Sequence, residues 1–246
     1  MLRGTGVALV SGALLLASCG DDDGGVPAAD DQKTADEAIA AVERALRDDG
    51  FDAVSPDDDD DNEDDNNSSF QSEECREFEA VSFPQGDEEL PGETARATQG
   101  FTRGTFELGS VGENVSAMAA FVEQPEDLDP LFEALNDERL EPCVEEALRV
   151  ASEDGAEQGQ TATELGDVEI ERLEDEGLGD ADGGYQVTAE ASGPGGTIQF
   201  SFAQQYVRVD RAVVAVNVLA VGNEEPTADR TALLRVLVDG LSDQSA

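Results

Sequence analysis

The chain has 246 residues and a formal charge of −44, with 58 acidic side chains against 14 basic ones. A surface of that sign repels phosphate backbones, which excludes ordinary nucleic-acid binding, and it repels anionic lipid head groups, so any hold on a membrane must be hydrophobic. Histidine and tryptophan are absent, which removes Ser-His-Asp triads, Cys-His dyads and imidazole-held zinc from the possible chemistries.

Arg3 is the single positive charge near the N-terminus, and Gly4 to Ser18 then run without any charge. A short basic region followed by an apolar stretch is the pattern of an export signal. A spanning helix needs about 20 apolar residues, so this stretch is too short for a permanent anchor. Cleavage before Cys19 would leave Leu16 three residues ahead of the cut, where an ordinary secretory site wants a small residue. The string Leu16-Ala17-Ser18-Cys19 instead resembles the lipobox of bacterial lipoproteins. That resemblance implies that residues 1–18 are a lipoprotein signal peptide, that the Cys19 sulfur takes a diacylglyceryl group, and that a peptidase then cuts ahead of it. Membrane lipid, reached through acylated Cys19 with chains of the palmitate kind, is the first expected partner. The expected location is the extracytoplasmic face of the cell membrane. Each buried methylene adds roughly 0.8 kcal/mol, and two chains hold stably where one holds marginally. The other reading of Cys19, a buried structural thiol, conflicts with Gly20 to Gly25, because Gly-Asp-Asp-Asp-Gly-Gly cannot continue a packed element.

Residues 19–32 read as a flexible acidic tether. Residues 33–50 read as a helix: Thr34 and Glu37 match a capping box, Gly50 stands where a C-terminal cap belongs, and Ile39, Val42 and Leu46 recur at helical spacing. Lys33 is the only lysine, and so acidic a balance suggests adaptation to high salt or a high-GC source. Residues 51–69 contain the run SPDDDDDNEDDNNSS, which has no apolar residue and is expected to be a disordered loop.

A single domain is expected over residues 70–246. Phe101 to Leu108 and Asn114 to Val122 read as paired strands, and Leu128, Leu131, Phe132 and Leu135 as one helical face. Pro142 begins a second helical stretch carrying Cys143, and Ala151 to Gln160 reads as a polar linker. Further strands are expected over Glu164–Leu173, Gly184–Ala191, Thr197–Val209 and Ala212–Val221, the last apolar enough for a centre buried on both sides. Thr227 is placed to cap a closing helix with Leu233, Leu234, Leu237 and Leu241 on one stripe. The expected class is α+β, an antiparallel sheet with helices packed on one face.

After Cys19, only Cys75 and Cys143 remain. In an exported chain an even pair reads as a disulfide, closing a loop of about 69 residues worth on the order of 4 kcal/mol. Two reduced core thiols are the alternative. A tuned calcium loop needs glycine at its sixth position and an acid at its twelfth. Counting from Asp57 gives Asn62 and Ser68, and counting from Asp180 gives Tyr185 and Ala191, so neither frame fits. Glycine-rich phosphate loops are missing. No cofactor, metal site or catalytic residue is therefore expected. Arg208 and Arg211 flank a hairpin turn and could bind an anion, but pairing with neighbouring acids across the strands is the favoured reading. Phe200, Phe202 and Tyr206 could line a pocket, although alternate aromatics on a strand more often pack a core.

Three stretches, VSAMAAFVEQPEDLDPLFEALNDERLEPCVEEAL, GLGDADGGYQVTAE and YVRVDRAVVAVNVLAV with RTALLRVLVDGL, are similar to the extracellular sensor domain of mycobacterial serine/threonine kinases and to actinobacterial lipoproteins that carry that module alone. A looser likeness links the chain to lipoproteins with a PsbP-type α/β sandwich. The sensor resemblance implies a central cleft for an unidentified extracytoplasmic ligand. This chain departs from that family in having one cysteine pair instead of two and Asp210-Arg211 at the closing hairpin. Together these readings give a membrane-anchored, non-catalytic ligand-binding or sensing module of the cell envelope. A carboxylate-dependent envelope hydrolase and a passive structural protein are the alternatives, the former requiring two acids about 5–10 Å apart across a cleft.

Overall fold

The computed structural model describes residues 28–54, 72, 74–75, 89–104, 111–157, 164–193, 196–222 and 226–242. Cys19, residues 1–27 and the acidic run 55–70 lie outside these.

Helix α1 (Ala28–Asp48) begins earlier than its sequence pattern suggests, and the last residues of the expected tether belong to it. Thr34 is consequently inside the helix, where its Oγ1 donates to the Asp30 carbonyl at 2.9 Å instead of capping the end. The C-terminus ends as expected. Gly50 takes φ +83°, Gly50 N–H reaches the Arg47 carbonyl, and Phe51 N–H reaches back to Leu46 at 3.1 Å. That is the double hydrogen bond of a left-handed C-cap, and the Leu46 and Phe51 side chains are both buried beside it.

Strands β1 (Asp52–Ala53), β2 (Glu93–Gly104) and β3 (Gly112–Val122) follow, then a 3₁₀ turn (Pro125–Leu128) and helices α2 (Asp129–Leu135) and α3 (Leu140–Glu157). The stretch from Ala151 is therefore helical to Glu157, not linker from its start. Next come β4 (Glu164–Arg172), β5 (Ala181–Gly193), β6 (Gly196–Val209), β7 (Ala212–Val221) and α4 (Arg230–Ser242). The closing helix is capped by Asp229, whose Oδ1 accepts from the Ala232 N–H at 3.0 Å, and Thr227 is engaged elsewhere. Among the described residues, no helix is long and apolar enough to cross a membrane.

The strands form one seven-stranded sheet in the order β1-β2-β3-β7-β6-β5-β4, antiparallel throughout. The last strand enters the middle, where Ala212 pairs with Phe121 on one side and Val209 on the other. Ala212 to Val216 are all buried, as the β-branched run requires of a strand covered on both sides.

The α+β class and antiparallel sheet are as expected; the placement of the helices is not. They lie on both faces, not on one. Ala119 and Ala120 are neighbours on β3 and so point to opposite sides. Ala119 joins a core containing Ala35, Ile39 and Val42 of α1 with Leu234 and Leu237 of α4. Ala120 joins a second core containing Leu128, Leu131, Phe132 and Leu135. Farther along this second face, Leu140, Cys143 and Val144 of α3 cover Tyr185 and Val187. The physical reason is in β3 and β7, which are apolar on both sides and need cover on both.

Each edge of the sheet is treated differently. At one edge β1 covers only Phe101 and Thr102 of β2, and farther along β2 the Gln32 amide of α1 donates to the Arg96 carbonyl at 2.8 Å and accepts from the Arg96 N–H at 3.3 Å. Strand β4 at the other edge exposes Asp167, Glu169 and Glu171, charges that oppose pairing with another strand.

Candidate functional site

Of the residues singled out from the sequence, Cys75 and Cys143 are joined in a disulfide with Cα atoms 5.3 Å apart. The bridge fastens the segment at Cys75 to α3 on the second face of the sheet, beside Tyr185 and Val187. The Ser72 N–H donates to Glu146 of α3 at 2.6 Å, which ties the same segment down a second time. Cys19 lies outside the described residues, as does the calcium frame starting at Asp57. In the other frame, Asp180 accepts from the Asp210 N–H at 2.7 Å and so serves the hairpin turn. Among the described residues, no group of three or more potential metal ligands is brought together.

Arg208 and Arg211 pair with acids, but these come from helices and not from across the strands. Arg208 meets Asp129 at 2.6 Å, and Arg211 forks onto Asp31 of α1 while lying 5.3 Å from the Phe121 ring. Among the described residues, two carboxylate side chains are buried, those of Asp31 and Glu113. Asp31 sits near the Phe121 end of β3, because Thr94 Oγ1 is within 3.3 Å of both the Asp31 carboxylate and the Phe121 carbonyl. Glu113 lies at the other end of that strand, roughly 26 Å away at about 3.3 Å per residue. There it accepts from Arg103 and from the N–H and hydroxyl of Thr227. Each is neutralised locally, and the two do not face one another.

A third carboxylate has a different setting. Asp182 on β5 accepts the Glu176 N–H at 2.7 Å through Oδ2, while its Oδ1 is buried without a partner. Burial, with Asp175 adding repulsion, raises its pKa above the ordinary carboxylate value. Nearby, the Arg230 guanidinium donates to the fully buried Gln205 at 2.8 Å, and Thr231 of α4 donates to Glu176 at 3.1 Å. This group pins the β4–β5 loop to the start of the last helix.

The most concentrated uncharged polar chemistry lies on the other face. Strand register places Ser116 beside Asn217, Asn217 beside Gln204, Gln204 beside Tyr185, and Tyr185 beside Arg172. Such neighbours share one face and stand about 4.8 Å apart. Tyr185 Oη donates to Gln204 Oε1 at 2.9 Å, and Gln204 Nε2 donates to the Tyr206 hydroxyl. Tyr185, Gln204 and Tyr206 are buried, whereas Ser116 and Asn217 are half-buried. Asn217 Oδ1 is buried and has no hydrogen-bond partner. Burial pushes the Tyr185 hydroxyl well above its ordinary pKa, with Tyr206 adding to the rise. Burial likewise raises Tyr206, partly opposed by the positive charge of Arg96. Both phenols are held as neutral hydrogen-bonding groups.

Of the three aromatics considered from the sequence, Tyr206 is in this network, Phe202 is half-buried with its ring 5.9 Å from that of Tyr185, and Phe200 is half-buried on the same strand. Gln204, Tyr185, Asn217 and Ser116 were not anticipated as a group. The available signal was Asn217, an amide inside the otherwise apolar AVVAVNVLAV, whereas Gln204 in FSFAQQYVRV stands among other polar residues. Comparison of the chain with family models, with curated proteins and with solved structures gave no match.

Proposed function

We propose that the protein is a lipoprotein held at the extracytoplasmic face of the cell membrane through acylated Cys19, and that its α+β domain is a non-catalytic ligand-binding or sensing module. The observation that carries this reading is the sequence Leu16-Ala17-Ser18-Cys19 between an uncharged apolar stretch and an acidic, glycine-containing segment. The Cys75–Cys143 disulfide supports it, since such bonds persist in oxidising compartments outside the cytoplasm. The antiparallel sheet, with a closing hairpin and helix, is compatible with the resemblance to kinase sensor domains. Ligand recognition is assigned to the uncharged polar row on the second face.

Expression of the full chain in a bacterial host, with and without globomycin, tests the anchor. The untreated protein partitions with membranes and carries the mass of an acylated form beginning at Cys19. Globomycin leaves a larger precursor, and Cys19→Ala gives neither lipid nor cleavage at that site. An unmodified Cys19 thiol in the purified protein would overturn the proposal.

A further inference from the structure

We infer that the row Ser116–Asn217–Gln204–Tyr185 binds a small uncharged molecule that presents a hydroxyl or amide N–H donor beside an apolar segment. The inference rests on the reading of the domain as a binding module and names the class of ligand.

The argument turns on which hydrogen-bonding capacity is already committed. Gln204 is used from both ends, its oxygen by Tyr185 and its nitrogen by Tyr206. Asn217, the next residue across the sheet, has an acceptor oxygen with no donor. A buried acceptor left unsatisfied is costly, so a donor arriving there gains more than it would at an ordinary surface amide. Asn217 as a whole is half-buried, so this oxygen belongs to a side chain that solvent partly reaches. Ser116 on the adjoining strand is half-buried as well and can donate or accept.

Charge then narrows the ligand. Ser116, Asn217, Gln204 and Tyr185 are all uncharged, Tyr185 stays neutral because its pKa is raised, and the charge of Arg172 beside Tyr185 is taken up by the Asn136 and Asp137 carbonyls and by Glu141. An anion would meet an acceptor oxygen, and a cation would find no carboxylate in these four positions. Along the strands, Asn217 is bracketed by Ala215 and Leu219, and Gln204 by Phe202, which supplies the apolar flank.

The sequence also provides a built-in reporter. The chain has two tyrosines and no tryptophan. Both tyrosines belong to this network, so tyrosine emission from the full chain reports on it alone. The test uses hexanamide, hexanoate and hexylammonium, which share an apolar chain and differ in head group. Hexanamide should change the emission saturably, and each charged analogue should bind at least about tenfold more weakly, the equivalent of roughly 1.4 kcal/mol. Asn217→Ala should weaken hexanamide by a similar factor while the far-ultraviolet circular dichroism stays unchanged. If Asn217→Ala unfolds the chain, Asn217→Ser and Ser116→Ala carry the same comparison.

Equal or tighter binding of a charged analogue would overturn the ligand class and leave the binding-module reading in place. Absence of any saturable change with all three, or a hexanamide response unaltered in the folded variants, would overturn the row as the site. Neither result bears on the Cys19 anchor, which the globomycin experiment judges separately.

Discussion

Arg211, in the turn between β6 and β7, holds Asp31 of the first helix across 180 positions of sequence, with one of its two hydrogen bonds at 2.8 Å. Asp31 is almost completely buried, and the same carboxylate is within 3.3 Å of the Thr94 hydroxyl. This pair fixes the start of α1 against the centre of the sheet. Removing the cation leaves a buried carboxylate without its counter-charge, so Arg211→Gln should lower stability by about 2–3 kcal/mol. Asp31→Asn should cost less, because an amide needs no counter-charge. Chemical denaturation of the two single variants and the double variant measures the coupling, and additive effects would mean that the pair does not hold the helix.

Tyrosine ionisation gives a second check. In an unfolded chain both phenols lose their protons near pH 10. Burial raises the values of Tyr185 and Tyr206 in the fold. Groups raised in this way contribute stability that is complete below their unfolded pKa and is lost as pH climbs towards the folded value. Absorbance at 295 nm should therefore show no tyrosinate through pH 10 and then a cooperative rise that coincides with loss of circular dichroism. A gradual non-cooperative rise centred near 10 would place the phenols in solvent.

The disulfide spans a sequence separation of 68, and constraint of so long a loop in the unfolded chain is worth on the order of 4 kcal/mol. Reduction, or Cys143→Ala, should lower stability by about that amount. It should also loosen the segment at Cys75, read as faster hydrogen exchange at Ser72 and Cys75. The β2–β3 hairpin, which does not touch the bridge, should keep its protection until global unfolding.

Packing between the first and last helices depends on Gly240. A Cβ built there would stand 3.1 Å from Ala38 Cα and 3.2 Å from Ala38 Cβ. Gly240→Leu should force α1 and α4 apart at a cost of about 1–3 kcal/mol. Gly240→Ala sets a smaller clash against roughly 1 kcal/mol of helix propensity and should change stability little. Thermal unfolding of the two variants separates these outcomes.

The parts of the fold that the sequence discloses are those where one signal dominates. The apolar run of β7 specifies a central strand, Gly50 specifies the end of α1, and two remaining cysteines leave one pairing. Partners distant in sequence are not legible in the same way. Nothing local says that Arg211 will find Asp31 instead of a neighbour on the sheet, or that Thr227 will serve Glu113 and leave the cap to Asp229. The two-sided placement of the helices was obscured because an amphipathic stripe reports that a helix docks, not on which side of a sheet. The polar row is the extreme case. Its members are contributed by β3, β7, β6 and β5, and only the register makes Ser116, Asn217, Gln204 and Tyr185 neighbours.

The paired hydrogen bonds between Gln32 and Arg96 have a consequence for assembly. The glutamine amide occupies both the donor and the acceptor of one backbone position, as a peptide group of an adjoining strand would. A border of exposed main chain invites a second molecule to add itself, and here the first helix supplies the plug. Chains shortened past residue 32 would lose that stopper together with Asp31, and the free margin of β2 would become the place where copies join edge to edge.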